Sequence, residues 1–298
     1  MAQMNLNWQS KLVLLLVLPF AGADLVIQAR GWAEFYWPVT VSTLGLSLIF
    51  GVVVLKLRAA TLPAAFAGAA ITACLIFSTS AFTPAGVFPY SPWHSALTPL
   101  LAVVGLTVLS TRLGRKRKES LGTAERRQGR TAAQVAANLG GAAIASSSFV
   151  QTELIESGWI RAAAYAPAIL LALPLAALAE AAADTVSSEV GQVFGGRPRM
   201  ITTLRRVEQG TDGGLSLIGT LVGVAAAGFV AALGAWALGG GLEIFWISAA
   251  GGVFGLFFDS LLGATLERRG WLNNDAVNFL STASAAVFAL GVLALLPH

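Results

Sequence analysis

Carboxylates and hydroxyls that could bind a metal ion are concentrated in AEAAADTVSSEVGQVFGGRP, next to an apolar stretch. Glu180 and Asp184 are four residues apart there, so they share one face of a helix. Carboxylates at the end of an apolar helix are unfavourable unless they are paired, hydrated or bound to metal. Because Mg²⁺ prefers such oxygen ligands, the segment predicts either a magnesium site or an ordinary solvated helix end.

A second segment, RPRMITTLRRVEQGTDGGLSLIGT, places four arginines before a glycine-rich turn and an apolar helix. A turn that opens a helix presents free backbone N–H groups and the positive end of the helix dipole, which suits phosphate. Asp212, within this turn, could cap the helix or bind a metal ion. The alternative is a plain N-cap turn beside a basic loop, since the segment lacks the GK[ST] of a Walker A motif.

The third segment is FFDSLLGATLERRGWLNNDAVNF, in which Asp259 lies within an apolar run. Gly255 and Gly263 flank it four residues to either side, making room on its helix face for a close neighbour. An aspartate inside a spanning helix indicates a functional site. Asn274 and Asn278 begin the last helix and could bind phosphate or a base, with helix capping as the alternative for Asn274.

A polar stripe runs along GRTAAQVAANLGG, where Arg130, Gln134 and Asn138 recur every four residues. The stripe could hold an anion or bind a neighbouring helix. The basic cluster Arg115–Lys118 nearby is interpreted as a topology signal or a contact with lipid headgroups.

The composition places these segments in a membrane protein. Of the 298 residues, 56% are hydrophobic and only 11% are charged, against about 25% in soluble domains, and the mean hydropathy is +0.73. With Cys74 as the single cysteine and His94 far from His298, an internal disulfide and a Cys-based metal site are excluded, and a Ser-His-Asp triad is not expected.

The predicted fold is all-α, a polytopic integral membrane protein with about nine transmembrane helices in a single transmembrane domain, 1–298. It includes a basic cytoplasmic segment, 112–130, and a Gly/Arg-rich cytoplasmic loop, 184–213. The weakest span, 131–150, is small and polar, so we expect it to be buried among other helices or to line a cavity. The predicted spans are 11–29, 38–56, 60–81, 94–111, 131–150, 161–183, 214–239, 242–265 and 276–296.

Charge predicts the orientation, with the N-terminus cytoplasmic and the C-terminus external. With this topology all but two of the 19 basic residues, Arg30 and Arg161, lie on the cytoplasmic side. The first segment is interpreted as a retained helix, with signal-peptide cleavage near Ala21-Gly22-Ala23 as the alternative. The predicted location is a cytoplasmic membrane of bacterial or archaeal type, with the active site facing the cytoplasm.

Taken together, ADTVSSEVG, ITTLRRVEQGTDGGLSLIGT, FDSLLGATLE and NNDAVNFLST, with weaker support from GRTAAQVAANLGG, resemble domain-of-unknown-function family 92. This family includes animal transmembrane protein 19 and the plant vitamin E pathway phytyl-phosphate kinase. The resemblance implies a Mg²⁺-dependent membrane kinase that phosphorylates an isoprenyl monophosphate, such as phytyl or geranylgeranyl phosphate, to the diphosphate. A distant similarity to CTP-dependent dolichol and phytol kinases favours CTP over another nucleoside triphosphate as donor, by analogy alone.

We therefore expect Asp184, Glu189 and Asp259 to be the catalytic residues and, with Asp212, the metal ligands. Phosphoryl transfer requires mainly positioning and charge neutralisation, so it needs neither cysteine nor histidine. The residues expected to bind nucleotide or phosphate are Arg130, Arg197, Arg199, Arg205, Gly210, Thr211, Gly213, Gly214, Ser216, Asn274 and Asn278.

Two other functions are compatible with these residues. One is a nucleotidyltransferase that forms a CDP-lipid, and the other is a transporter or scramblase of prenyl-phosphate lipids. The concentration of polar groups on one face argues against transport, which places polar groups at mid-membrane depth. The expected partners are the isoprenyl monophosphate, the nucleotide and membrane lipids, with no nucleic acid and with homo-oligomerisation left open.

Overall fold

The computed structural model describes residues 6–80, 91–124, 128–158, 160 and 167–296. Helices dominate the described chain, joined by 3₁₀ turns at Pro92–His94 and Pro167–Leu171 and a π-helical turn at Gly263–Glu267. Two short strands, β1 (Arg199–Met200) and β2 (Gly214–Leu215), pair antiparallel. The helices are α1 (Asn7–Lys56), α2 (Leu62–Ser80), α3 (Leu97–Arg112), α4 (Arg115–Leu121), α5 (Ala132–Ser146), α6 (Ser148–Glu156), α7 (Ala172–Phe194), α8 (Leu217–Ala237), α9 (Gly241–Leu262) and α10 (Asn274–Leu295).

Six helices of the described chain are long and apolar enough to cross a membrane: α1, α2, α7 with its preceding turn, α8, α9 with the π-helical turn, and α10. A seventh span results if α3 and α4, which meet at an angle of 68°, are counted as one. This confirms a predominantly helical architecture with several candidate membrane spans. The expected number of nine and the orientation of the termini stay predictions.

The described chain has fewer candidate spans than the expected nine because of two helices, α1 and α5. The predicted spans 11–29 and 38–56 both lie in α1, whose 50 residues are interrupted by non-helical angles at Tyr36. The Thr40 hydroxyl donates to the Ala29 carbonyl at 3.3 Å across this break, so the chain bends back there. The predicted span 131–150 is broken at Ser147, which leaves α5 with only 15 residues.

α7 is the central helix, and it packs against α3, α5, α8, α9 and α10. Its alanine-rich sequence is almost entirely buried, because small side chains allow neighbouring helices to approach closely. Glycines on the neighbours complete the fit. A Cβ added at Gly223 of α8 would lie 2.9 Å from the Ala183 carbonyl oxygen, and one at Gly252 of α9 would lie 2.7 Å from the Ala179 Cβ.

The polar segments of the sequence meet at one end of this bundle. The start of α1 is tied to the start of α10, since Gln9 donates to the Trp271 carbonyl at 2.8 Å and Asn273 donates to the Leu6 carbonyl at 2.9 Å. The end of α9 leads into α10 through the π-helical turn, and the end of α7 leads through the β1–β2 hairpin into α8. These connections bring the predicted motifs to one face, as expected.

Two predicted boundaries need comment. The loop predicted at 184–213 is wrong at its start, because α7 continues to Phe194 and makes Asp184 and Glu189 helical. The predicted segments 112–130 and 161–183 are described only in part, since residues 125–127 and 161–166 lie outside the described residues.

Candidate functional site

A polar cavity of about 320 Å³ lies at this end of the bundle, between α5, α7, α9, α10 and the hairpin loop. Its volume falls within the range of small-molecule sites. All four predicted motif segments contribute to its wall. The predicted site residues that line it are Arg130, Asp184, Glu189, Gly210, Thr211, Asp212, Gly213, Gly214, Ser216, Asp259, Asn274 and Asn278.

Two neighbouring carboxylates, of which Asp259 lines the cavity, each have one buried oxygen without a hydrogen-bond partner in the described residues. Within the described residues, Glu180 Oε1 on α7 and Asp259 Oδ1 on α9 have no hydrogen-bond partner. The helices come together there because α9 has Gly255 facing α7, where any added Cβ would overlap the Glu180 side chain. An unsatisfied buried polar group costs about 1–3 kcal/mol, so such atoms in a folded protein indicate a missing ligand or water.

Arg130 supplies a positive charge to these carboxylates. Its Nη2 donates to the Thr185 hydroxyl at 3.2 Å, and its guanidinium acts electrostatically on Asp184, which in turn interacts with Asp259. Backbone hydrogen bonds with Ala59 and Thr61 hold Arg130 in place just before α5. The predicted polar stripe is realised as one face, because Gln134 and Asn138 line the same cavity.

Three helix N-termini border the cavity. Thr131 caps α5 in a capping box with Gln134, and the Ser216 hydroxyl caps α8 by accepting from Gly219 N at 3.0 Å. Asn273 caps α10, accepting from Ala276 N at 2.9 Å, so Asn274 is free of the capping role and lines the cavity. Each N-terminus carries a partial positive charge, which favours an anion in this space.

The glycine-rich turn is held against the π-helical turn. Gly213 has φ +73°, and a Cβ added there would overlap Ala264 of the π-helical turn, so glycine is required on both grounds. π-Helical turns are frequent at functional sites. Burial raises the pKa of Asp212 in this turn, an effect that the positive charge of Arg268 partly offsets.

Glu189 is held by a lysine rather than left open for a metal ion. Lys118 Nζ lies 2.5 Å from Glu189 Oε2, and the Thr111 hydroxyl donates to Oε1 at 3.1 Å. Lys118 is only 1% exposed and also donates to the Ser110 carbonyl at 2.7 Å. This geometry argues against Glu189 as a metal ligand. The interpretation of the basic cluster as a contact with lipid headgroups is wrong for Lys118, because this lysine is buried in the protein, and the interpretation as a topology signal stays a prediction.

Three of the four predicted phosphate-binding arginines lie away from the cavity. Arg197, Arg199 and Arg205 are exposed on the hairpin, and none of them is among the residues that line the cavity. Arg199 instead donates to the Leu204 carbonyl at 3.0 Å. The hairpin turns these side chains outward because the register of β1 with β2 buries Met200. Their predicted role is therefore not supported by their position.

The predicted set of four metal ligands is not assembled as a cage. Within the described part of the chain, no three His, Cys, Asp or Glu side chains are arranged so that they could hold a metal ion. Asp212 faces the charge of Arg268, and Glu189 binds Lys118. Asp184 and Asp259 remain, with Glu180 beside them.

Some residues in or beside the cavity were missed by sequence reasoning. Glu180 was recognised only as sharing a helix face with Asp184, although its buried Oε1 has no hydrogen-bond partner among the described residues. Glu267 lies eight residues after Asp259, a spacing that places it on roughly the same helix face, but no role was predicted for it. Thr123 and Gln192 also line the cavity and bond to each other at 2.7 Å, and no sequence signal identified either.

The comparison with known families matches residues 45–286 to the family described as integral membrane protein DUF92. The chain belongs to this family. The match spans every cavity-lining residue discussed above and confirms the resemblance drawn from the four motifs. No solved structure matches this DUF92 chain.

Relatives of this DUF92 chain are found in three kinds of organism. An uncharacterized membrane protein of Methanocaldococcus jannaschii is 43% identical over 119 residues, 40% of this chain and 49% of that protein. An uncharacterized membrane protein of Synechocystis sp. is 34% identical over 194 residues, 61% of this chain and 67% of that protein. The chloroplastic protein VTE6 of Arabidopsis thaliana is 30% identical over 190 residues, 61% of this chain and 53% of that protein. The alignments thus span from about half to two thirds of these relatives.

Proposed function

We propose that this DUF92 protein is a membrane kinase that transfers a phosphoryl group from a nucleoside triphosphate to an isoprenyl monophosphate. The observation that carries the proposal is one cavity that Asp184, Asp259 and Arg130 line and three helix N-termini border, with an Asp259 oxygen that has no hydrogen-bond partner among the described residues. Such a cavity offers one place for a cation and another for phosphate groups. The family resemblance, which includes the plant phytyl-phosphate kinase, supports the choice of acceptor, and CTP is the favoured donor by the same analogy.

The carboxylates fit a magnesium ion that arrives with the nucleotide. Mg²⁺ is usually held by one or two protein carboxylates, several waters and substrate phosphates, so a cage of three carboxylates is not required. Asp259 and Asp184 would hold it, with Glu180 behind them, because Asp259 Oδ1 and Glu180 Oε1 have no other partner among the described residues. When bound, the ion would neutralise charge on the transferred phosphoryl group.

The remaining residues divide between donor and acceptor. The Gly210–Gly214 turn, Thr211 and the capped start of α8 at Ser216 would cradle the donor phosphates. Arg130 would neutralise the acceptor phosphate, and Asn274 with Asn278 would bind phosphate or the base. No general base is needed, because the acceptor phosphate is already anionic near neutral pH.

The reaction forms one bond and breaks another. An oxygen of the acceptor phosphate attacks the γ-phosphorus of the nucleotide, and the bond from the γ-phosphorus to the β–γ bridging oxygen breaks. The products are the isoprenyl diphosphate and the nucleoside diphosphate. The protein contributes positioning and charge neutralisation, which are the main requirements for phosphoryl transfer.

The test uses purified protein in detergent with Mg²⁺, each of the four nucleoside triphosphates separately, and geranylgeranyl or phytyl monophosphate. Mass spectrometry would identify the lipid products. An isoprenyl diphosphate formed with the matching nucleoside diphosphate supports the kinase and identifies the donor. A CDP-lipid released with pyrophosphate indicates the nucleotidyltransferase instead. Nucleotide-independent lipid flipping by folded protein that turns over no triphosphate contradicts the proposal and indicates a transporter.

A further inference from the structure

A second, strongly basic recess shares Arg130 as a lining residue with the polar cavity. It has a volume of about 270 Å³ and lies between the end of α1, the end of α3 and the segment before α5. Four arginines line it, with two threonine hydroxyls from α3 and no carboxylate among the lining residues. The arginines are Arg58, Arg112, Arg115 and Arg130.

An apolar groove continues from this recess into the bundle. Its walls come from five helices, represented by Phe50 of α1, Gly68 of α2, Val104 of α3, Leu139 of α5 and Ala181 of α7. The basic recess and the groove are continuous, because both are lined by Ala59, Thr107, Val108 and Arg130. A basic recess next to an apolar groove matches a molecule with an anionic head and a hydrocarbon tail.

We propose that this combined site binds the lipid monophosphate acceptor, with its phosphate in the basic recess and its chain in the apolar groove. The inference rests on the proposed function and adds to it a separate location for the acceptor. The nucleotide occupies the polar cavity, and Arg130 stands between the two substrates.

Charge complementarity identifies the phosphate end. Within the described residues neither Arg58 nor Arg112 forms an ion pair, so both guanidinium groups are available to an anion. Arg112 is held in place because its Nη2 donates to the Leu57 carbonyl at 2.6 Å. Arg58 has φ +53°, a conformation that non-glycine residues rarely adopt and that is concentrated at ligand clamps. Arginine is the residue best suited to bind phosphate through paired N–H groups.

The same features favour a monoester over the phospholipids of the membrane. A phosphate monoester carries close to two negative charges at neutral pH, whereas a phosphodiester headgroup carries one. The groove has a volume of about 70 Å³, which is room for the first part of one hydrocarbon chain and not for two chains side by side, so the rest of the chain would lie outside it. We therefore assign the site to a single-chain lipid monophosphate.

The position of Arg130 explains how two separated substrates would react. Arg130 lines the polar cavity, the basic recess and the apolar groove, and its side chain donates to Thr185 of α7. A phosphate in the recess and the terminal phosphate of a nucleotide in the cavity would both lie next to Arg130. Such an arrangement holds the reacting groups close together while their charges are neutralised.

The experiment measures binding of geranylgeranyl monophosphate to the full chain in detergent, without nucleotide, by native mass spectrometry and calorimetry. The double substitution Arg58→Gln and Arg112→Gln should weaken binding at least tenfold and leave CTP binding unchanged. Its control is Lys116→Gln with Arg117→Gln, which removes two exposed charges of the same basic segment that do not line the recess. If the double variant does not fold, Arg112→Gln is compared with Arg117→Gln.

The groove has its own matched pair of variants on α3. Val104→Trp would fill the groove and should abolish binding of the lipid monophosphate. Leu109→Trp adds the same bulk at a position that is 70% exposed on the outside of the bundle, and it should bind like the wild type. The proposal is overturned if Val104→Trp binds the lipid monophosphate like the wild type. It is also overturned if Arg58→Gln with Arg112→Gln, or Arg112→Gln where the double variant does not fold, binds like the wild type.

Further outcomes of these experiments distinguish failure of the acceptor site from failure of the proposed kinase function. Equal binding of phosphatidylglycerol and geranylgeranyl monophosphate would overturn the acceptor site, because the recess would then be a general contact for anionic lipids. Binding that follows both variant pairs without any kinase turnover would support the acceptor site while contradicting the kinase. Turnover that is unaffected by Val104→Trp would support the kinase while contradicting the acceptor site.

Discussion

Asp24 and Asp259 are both aspartates in helices that could span a membrane, yet their surroundings differ. Asp24, in the first half of α1, is 0% exposed and accepts from Cys74 at 2.9 Å, Ser148 at 3.1 Å and Ser78 at 3.5 Å. Asp259, near the end of α9, has one oxygen without a partner in the described part of the chain. The first carboxylate is surrounded by donors from other helices, and the second faces a polar cavity.

The difference teaches how to interpret an acidic residue inside a membrane protein. Its presence alone indicates an important residue, but only the state of its hydrogen bonds separates a structural role from a binding role. Asp24 joins α1 to α2 and α6 through its donors. Asp259 Oδ1 has no hydrogen-bond donor among the described residues, so it is available to a cation or to water. Four predictions test this contrast, from the largest expected effect to the smallest.

The largest effect is expected from Asp259→Asn. The substitution keeps the shape but removes the charge that would meet the metal ion, so turnover should fall by about 10³-fold, as when a group that stabilises transition-state charge is lost. Stability should be unchanged or slightly higher, since an unsatisfied buried charge is removed. Initial rates with CTP and geranylgeranyl monophosphate, together with thermal unfolding in detergent, measure both quantities.

The matched control for this experiment is Asp24→Asn, the same chemical change at the satisfied aspartate. Its folded fraction should turn over substrate at the wild-type rate. If Asp259→Asn keeps more than a tenth of the wild-type rate, Asp259 has no direct role. If the two variants lose activity equally, the contrast between the aspartates is wrong.

The second prediction concerns Glu189, a carboxylate that forms an ion pair with Lys118. Lys118→Met leaves Glu189 partly buried without its cation, which should destabilise the protein by about 3 kcal/mol, as for other buried pairs that lose one partner. The double variant Lys118→Met with Glu189→Leu removes both charges and should recover most of the loss. Chemical unfolding in detergent measures both values, and a double variant no more stable than the single one would contradict a buried pair.

The sequence predicted which residues share a helix face but not what those faces meet. The spacing of Arg130, Gln134 and Asn138 correctly placed them on one side of α5, and Glu180 and Asp184 on one side of α7. The meeting of the motif segments at one end followed from the order of the apolar spans. These features are local, because helical periodicity determines them.

The partners of individual side chains could not be predicted in this way. Glu189 and Lys118 are 71 residues apart, and Asp24 and Ser148 are 124 apart, so each pair depends on how several helices pack. The outward direction of Arg199 depends on a strand register that two-residue strands do not reveal in sequence. The glycine-rich turn was recognised, but its contact with the π-helical turn at Ala264 was not.

The third prediction examines the satisfied aspartate by itself. Asp24→Ala removes the acceptor of three donors, and it should destabilise the protein by about 1–2 kcal/mol, in line with hydrogen bonds between membrane helices. The loss should be larger than for Asp24→Asn, whose amide oxygen still accepts from some of the donors. Unfolding measurements on both variants test this order, and equal stabilities would contradict a structural role for the hydrogen bonds.

The smallest effect on the rate is expected from the hairpin arginines outside the cavity, which are compared with Arg130, which lines it. Substituting Arg197, Arg199 and Arg205 with glutamine removes exposed charges outside the cavity, so the rate and the KM for nucleotide should change by no more than about twofold, the range of surface substitutions. Arg130→Gln removes the guanidinium that lines the cavity, and it should lower kcat by at least an order of magnitude. Kinetics on the triple variant and on Arg130→Gln, at equal salt concentration, measure both effects. If the triple variant is as impaired as Arg130→Gln, the hairpin closes over the nucleotide and brings its arginines to the phosphates. In that case exposure of a side chain in the free protein does not show that it has no role in binding.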